Sequence, residues 1–305
     1  MKSLKRVLIG VVTAFVLLLS GCSTTAAFQG PGGGRVVDIA ISYQDADIAA
    51  SEVLSLALEN LGFRVNIINL DYAIMYMAVA EGDADATISS WLPSTHEPYM
   101  PRFYDDMVDL GPNTTGTLNA LVVPSYMEAD SITDLTDEAG QVITGIEPGA
   151  GITSQTETAI ETYPNLEGWE QRTSSTGGML IELQSAIRDQ EEIIIPGWQP
   201  HWMNISYDLK YLEDPEGVFG GREDIITFAR QGLQEEDPIA YGVIDNFYWD
   251  IEDVQEVMYD MEQNGMTGEE AALKWVNENP DKVNAWYEGV EGLEDAEFQP
   301  IEPTN

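Results

Sequence analysis

Twice in this 305-residue chain an apolar run ends in a Trp, and a Pro and a His follow closely. The first stretch is Ile88-Ser89-Ser90-Trp91-Leu92-Pro93-Ser94-Thr95-His96. The second runs Ile193-Ile194-Ile195-Pro196-Gly197-Trp198-Gln199-Pro200-His201-Trp202. The chain has two His, and each stands in one of these stretches. A short apolar run closed by Pro reads as a buried strand. Each of these strands ends by presenting an indole, so the repeat predicts two lobes facing one cleft.

The rest of the pattern agrees. Val36 to Ser42 alternates around Ile39 and Ile41 and reads as a strand. Asp45-Ala46-Asp47 opens a helix carrying Val53, Leu54, Ala57, Leu58 and Leu61, which Gly62 stops. Phe63 to Leu70 is a second strand, a short helix ends at Gly82, and Ala86 to Trp91 is a third strand. This β-α-β-α-β order predicts parallel strands with right-handed crossovers. Val108 to Leu110 and Thr117 to Val123 read as strands leaving that lobe. A second set follows in the same order: Val142 to Ile146, a helix from Thr153 to Tyr163, a helix capped by Thr173-Ser174-Ser175-Thr176, and the strand Ile193 to Ile195. Asp224 to Arg230 reads as a strand returning to lobe one, and helices over 237–247, 251–264 and 267–278 finish the fold. The expected fold class is α/β: a two-lobed, periplasmic-binding-protein-like (venus flytrap) architecture of the type II kind with two crossover strands. Lobe one is expected over 36–121 and 227–292, lobe two over 122–226, and an acidic, frayed tail over 293–305.

The N-terminus carries a different signal. Lys2, Lys5 and Arg6 precede an apolar run from Val7 to Leu19, which has the length of a secretory h-region. The run ends in Leu19-Ser20-Gly21-Cys22, an apolar residue and two small ones before the one Cys of the chain. This matches a bacterial lipobox, so residues 1–22 are expected to be a lipoprotein signal peptide. Cys22 is then the lipidation site, and the protein sits lipid-anchored on the extracytoplasmic face of the cell membrane. Residues 23–35, rich in Gly, read as a flexible tether. Net charge is −40, and loss of residues 1–22, which hold three basic residues and no acid, takes it to −43. Such a surface repels nucleic acid. The acids are spread along the chain, as on a solvated surface adapted to high external salt.

Signatures of catalysis are missing: no Gly-x-Ser-x-Gly, no His-Glu-x-x-His, no phosphate loop, no Cys/His cluster. No enzyme, metal or cofactor is expected. Trp residues carry the argument instead. Trp275 and Trp286 lie in helical surroundings and read as packing residues, while Trp169 is ambiguous. Trp91 and Trp198 end strands, and Trp249 sits in a break between helices, in Asn246-Phe247-Tyr248-Trp249-Asp250. Each of the three alone reads as core, but together they suggest a cage. Indole faces hold a quaternary ammonium through their quadrupoles, by roughly 2 kcal/mol for a desolvated contact. Main-chain N–H groups at the helix start around Ala46, Asp47 and Ile48 can take a carboxylate. For His201, bracing the bend and donating to a ligand stand equal; for His96 bracing is favoured.

These residues carry a resemblance. Trp91-Leu92-Pro93-Ser94-Thr95-His96, Gly197-Trp198-Gln199-Pro200-His201-Trp202, Leu209-Lys210-Tyr211-Leu212-Glu213-Asp214-Pro215, Asn246-Phe247-Tyr248-Trp249 and the turn Gly149-Ala150-Gly151-Ile152 resemble the substrate-binding component of glycine betaine/proline-betaine ABC importers. The likeness runs from about Val36 to Gly289. It implies a three-Trp prism of Trp91, Trp198 and Trp249 around a trimethylammonium head, with the carboxylate on main-chain amides after the first strand. It also implies delivery to an ABC permease in the membrane by a monomeric binding protein. Two departures stand out: Tyr43-Gln44 occupies a loop where related sequences often carry Trp, and no His follows Trp249 closely. The alternatives are a binding protein for choline, carnitine or a sulfonium analogue, a sensor built on the same cleft, and a secreted hydrolase.

Overall fold

The computed structural model describes residues 30–302, so the expected signal peptide and the Cys22 lipidation site lie outside the described residues. The first strand, β1 (Val36–Ile41), turns Val37, Ile39 and Ile41 to one face and Ala40 to the other. Both faces are covered. α1 (Asp45–Asn60) packs on the first, and α2 (Tyr72–Glu81), with Met75, Tyr76 and Val79, packs on the second. Between these helices β2 (Arg64–Asn69) pairs parallel to β1 from Val36 opposite Arg64 to Ile41 opposite Asn69. β3 (Ala86–Leu92) is parallel to β1 on its other side. The predicted β-α-β-α-β unit of lobe one is therefore present, with strand order β2-β1-β3.

A short α3 (Met100–Phe103) leads into β4 (Met107–Pro124), one strand of 18 residues where two were expected. Three shifts of register along its pairing with β9, with Gly111 and Gly116 at positive φ near two of them, let the chain bend without leaving the ladder. Lobe two repeats the plan of lobe one. β5 (Val142–Thr144), α4 (Gly151–Thr162), β6 (Glu170–Arg172), α5 (Thr176–Asp189) and β7 (Ile195–Gln199) follow one another. β5 pairs parallel to β6, and Ile143 makes an isolated parallel bridge to Ile194, the residue just before β7.

After α6 (Met203–Ser206) and β8 (Leu209–Tyr211), the strand β9 (Glu223–Arg230) lies antiparallel between β3 and β4. The half of β4 beyond Thr117 pairs instead with β7 and β8. β4 thus runs from one lobe into the other, and β9 brings the chain back. The helices α7 (Leu233–Glu236), α8 (Pro238–Asn246), α9 (Ile251–Gln263), α10 (Gly268–Glu278) and α11 (Pro280–Tyr287) complete lobe one, with α9 and α10 against α1.

Two segments differ from expectation. The part of the tether that is described, 30–35, is packed: Gly32 and Gly34 N–H donate to the Leu61 and Gly62 carbonyls at 2.8 Å, and Arg35 pairs with Asp237 at 2.7 Å. A Cβ on Gly32 would lie 2.5 Å from the Phe63 nitrogen, so glycine serves there for close approach rather than looseness. Residues 293–302 are pinned instead of frayed. Leu293 and Phe298 are buried, and the side-chain amides of Asn60 and Asn277 each make a reciprocal pair with the backbone of Gln299 and Ile301. Acidic composition hid the apolar anchors that hold this tail.

Candidate functional site

The seam between the lobes holds a pocket enclosing about 430 Å³ not filled by atoms. Lobe one lines it with Gln44, Ala46, Asp47, Tyr72, Trp91, Thr95 and His96. Lobe two contributes Ile146, Ala150, Gly151, Ile152 and Trp198, and Asn119 comes from β4 where that strand crosses. Trp91 and Trp198 reach the pocket because each stands at the C-terminal end of a buried strand, β3 and β7. The peptide bonds Leu92–Pro93 and Gln199–Pro200 beyond them are both cis.

Each Trp has a His beside it, and the two His differ in what they reach. His96 lines the pocket; its Nδ1 accepts from the Trp91 N–H at 3.0 Å and lies 2.9 Å from the Tyr76 hydroxyl. His201 is buried behind the pocket wall. Its Nδ1 accepts from the Met203 N–H at 3.1 Å, and its ring stands edge-on to Trp198 at 4.9 Å and 78°. Burial pushes both imidazoles down to about 3, so both are neutral across the physiological range. His201 therefore braces Trp198 and is not brought to the pocket.

The helix starts bear on the pocket from opposite lobes. In α1 the first helical bond is from Ile48 N–H to the Gln44 carbonyl at 3.0 Å. The amides of Asp45, Ala46 and Asp47 precede it and have no acceptor within the helix. Ile48, expected among the binding residues, is not at the pocket, because its N–H is the one the helix uses. In α4 the first bond is from Thr153 N–H to Ala150, which leaves the Gly151 and Ile152 amides at the pocket wall in the same condition. No Lys or Arg lines the pocket. Positive potential comes from two helix N-termini alone.

Asp47 stands out in this setting. It is 2% exposed, it accepts from the Ser42 hydroxyl, and burial raises its carboxyl to about 7. Asp45 on the same turn is also raised, by burial first and then by Glu262 and Glu147. Tyr72, whose ring lies 4.3 Å from that of His96, is a phenol pushed upward by burial and held neutral.

The lobes touch across the pocket. Asn119 Nδ2 donates to Thr95 Oγ1 at 2.7 Å and to Gln155 Oε1 at 3.1 Å. The buried carboxylate of Glu223, at the start of β9, accepts from the N–H groups of Ser94 and Thr95 and from the Thr95 hydroxyl. A crossing strand thereby holds the loop that carries His96. A Cβ on Gly151 would meet Thr95 Cγ2 at 2.4 Å, so the lobes close to backbone contact at this point.

Trp249 is not at the pocket. It is 1% exposed, its N–H donates to the Asn113 carbonyl at 3.0 Å, and its ring packs against Phe247 and, edge-on, against Trp275 at 5.8 Å. With Trp275 and Trp286 stacked 6.1 Å apart it forms the aromatic core under α8, α10 and α11. The expected three-Trp prism therefore has two of its Trp at the pocket, and Tyr72 is the third aromatic there. Sequence reasoning also passed over Thr95, Asn119 and Ile152 as lining residues. The turn Gly149-Ala150-Gly151-Ile152, placed just before a helix, was the available signal for the last. Among the described residues no group of His, Cys, Asp and Glu is arranged to hold a metal ion.

Two lobes of like topology, joined by crossing strands and closing on a pocket, define a solute-binding protein of the venus-flytrap class. Comparison with known proteins narrows this: residues 36–278 match the substrate binding domain of ABC-type glycine betaine transport systems, and the chain belongs to that family. A Listeria monocytogenes relative, the glycine betaine/carnitine transport binding protein GbuC, is 45% identical over 171 residues, 56% of this chain. That match spans 57% of the relative's length. The closed, glycine betaine-bound crystal structure of lactococcal OpuAC aligns at 43% identity and a TM-score of 0.81, over 83% of this chain and 99% of that one. A choline binding protein of an ABC transporter, in complex with choline, aligns at 25% identity and a TM-score of 0.76, over 84% and 92%.

Proposed function

We propose that this chain captures glycine betaine between its lobes and hands it to an ABC permease. One observation carries the reading: Trp91 and Trp198 enter a single pocket from different lobes, and that pocket has helix N-termini but no basic side chain. The indoles, with Tyr72, suit a methylated ammonium that offers no N–H donor. The unpaired amides of Ala46 and Asp47, and of Gly151 and Ile152, suit the carboxylate. The relatives support this choice, since the lactococcal structure holds glycine betaine and the Listeria protein is named for glycine betaine and carnitine. No chemistry is done on the ligand; closure of the lobes is the event. We take lobe one as 36–121 with 227–292 and lobe two as 122–226, in line with the point where β4 changes partners. Cys22 carries the lipid, and a monomer works tethered to the outer face of the membrane.

Choline and carnitine share the head group and differ at the other end, which makes them the informative comparison. Calorimetric titration at high salt with glycine betaine, proline betaine, carnitine and choline tests the reading. Glycine betaine is expected to bind most tightly. A preference for choline would transfer the assignment to a cation lacking a carboxylate, and no heat from any of the four would end it.

A further inference from the structure

The pocket adjoins a second, larger chamber in the same seam. We propose that two carboxylates on that chamber, Asp71 from lobe one and Glu147 from lobe two, set the upper length of the zwitterion the protein accepts: a betaine with a long spacer is turned away by charge and not by lack of room. This rests on the betaine reading of the pocket and assigns two specificity-determining residues outside it.

The chamber shares Gln44, Tyr72 and Ala150 with the pocket and holds about 1120 Å³ not filled by atoms. Gln44 is the residue before α1, and Ala150 is the residue before α4. The boundary between the two spaces therefore runs at the helix starts, where the free amides suit the ligand carboxylate. Beyond it the wall continues with Tyr43, Asp71 and Tyr99 on one lobe and Glu147 on the other. Tyr43, 63% exposed, marks the open rim.

Carnitine carries its carboxylate two carbons farther from the ammonium than glycine betaine does. With the head held between Trp91 and Trp198, those carbons take the carboxylate past the helix starts and into the chamber, which has space for it. There it meets Asp71 and Glu147, and no Lys or Arg lines the chamber to offset them. Glycine betaine is short enough to stop at the amides. Inside the pocket the acid is Asp47, raised to about 7 by burial, so at pH 6 it sets little charge against a short ligand.

Both carboxylates are placed where their charge is felt. Glu147 accepts from the Thr176 N–H and the Thr176 hydroxyl, each at 2.8 Å, so the start of α5 keeps it from swinging into solvent. Burial, then Asp47 and further on Glu147 raise the Tyr72 phenol; burial, Glu262 and Glu147 raise Asp45. Asp71 stands before α2 with its side chain uninvolved in capping. Tyr99, on the chamber wall, is raised by burial and then by Asp71.

The experiment is calorimetric titration of the full-length protein at pH 6 with glycine betaine, followed by displacement with carnitine. It is run at about 0.1 M salt, where screening reaches only beyond about 10 Å. The readout is the ratio of carnitine to glycine betaine affinity. Glu147→Gln and Asp71→Asn should each raise this ratio about threefold, and the double variant about tenfold, with glycine betaine affinity changed much less. Glu157→Gln, on the exposed side of α4, should leave the ratio unchanged. Raising the salt to about 1 M should raise the ratio in wild type and leave it unchanged in the double variant. Should Glu147→Gln unfold through loss of its contact to α5, Asp71→Asn on the other lobe carries the test alone. The assignment is overturned by a ratio that does not respond to Asp71→Asn, by an equal response in Glu157→Gln, by wild type that binds carnitine as tightly as glycine betaine, or by a folded double variant that still gives no carnitine binding. Each of those results leaves the betaine reading standing; wild type that binds no glycine betaine ends that reading, and this assignment with it.

Discussion

Asp47→Asn should make the protein more stable at pH 8 while changing it little at pH 4.5. Asp47 is 2% exposed on the first turn of α1, and burial raises its carboxyl to about 7. In the unfolded chain an Asp titrates near ~3.9. Between those values the folded state binds the proton that the unfolded state has released. Stability attached to this group is therefore fully present below about pH 4 and is lost as pH rises toward 7. Over about three pH units the loss approaches about 4 kcal/mol, of which about 3 kcal/mol falls between pH 4.5 and 8. His96 and His201 work in the opposite direction: their folded values of about 3 mean that stability present above the unfolded value near ~6.5 is lost as pH falls. The two effects separate by variant, since Asn removes the first and leaves the second. The assay is urea unfolding of wild type and Asp47→Asn at pH 4.5, 6 and 8, at constant high salt. The variant's advantage should grow by about 3 kcal/mol from the lowest to the highest pH. A difference that stays flat within about 1 kcal/mol would refute the reasoning, because it would place an ionised Asp47 in the folded protein across the whole range.

Other perturbations separate packing from binding. Gly151→Ala puts a methyl 2.4 Å from Thr95 Cγ2, so lobe closure is obstructed; calorimetry should show glycine betaine affinity reduced by about tenfold or more while thermal unfolding without ligand is unchanged or slightly later. Phe298→Ala removes the buried ring of the C-terminal strap and should destabilise by about 3 kcal/mol in urea, with faster hydrogen exchange beyond residue 298 and unaltered affinity. Removing salt should lower the melting temperature steadily, since a chain of net charge −40 loses the screening that shortens its self-repulsion; an indifferent melting temperature would sink the salt-adaptation argument.

What could be read before the structure divides along physical lines. The succession of elements was legible because β1 carries an apolar run covered on both faces, and because the second lobe repeats the sequence of elements. Trp91 and Trp198 were legible as site residues because a strand end in an open α/β lobe faces the cleft. Trp249 was not, since its position between helices says nothing of direction; the Asn113 carbonyl and the rings of Phe247 and Trp275 turn it inward. Ile48 missed by one residue, because the amides left free by a helix end where its own first bond begins. His201 and His96 share a sequence context and take different places, a difference set by the number of residues after each Pro. The strap over 293–302 was hidden by its acids, whose charges stay in solvent while Leu293 and Phe298 go in.

The central claim is that a betaine sits between Trp91 and Trp198 and not against Trp249. Calorimetric titration of glycine betaine into wild type, Trp91→Ala, Trp198→Ala and Trp249→Ala tests it directly. Wild type should bind, and loss of either pocket indole should weaken binding by about 2 kcal/mol, roughly 30-fold. Trp249→Ala should lower stability by about 3–5 kcal/mol yet hold affinity within about threefold in the folded fraction. The account is contradicted by wild type that gives no heat, or by Trp249→Ala that loses affinity as Trp198→Ala does.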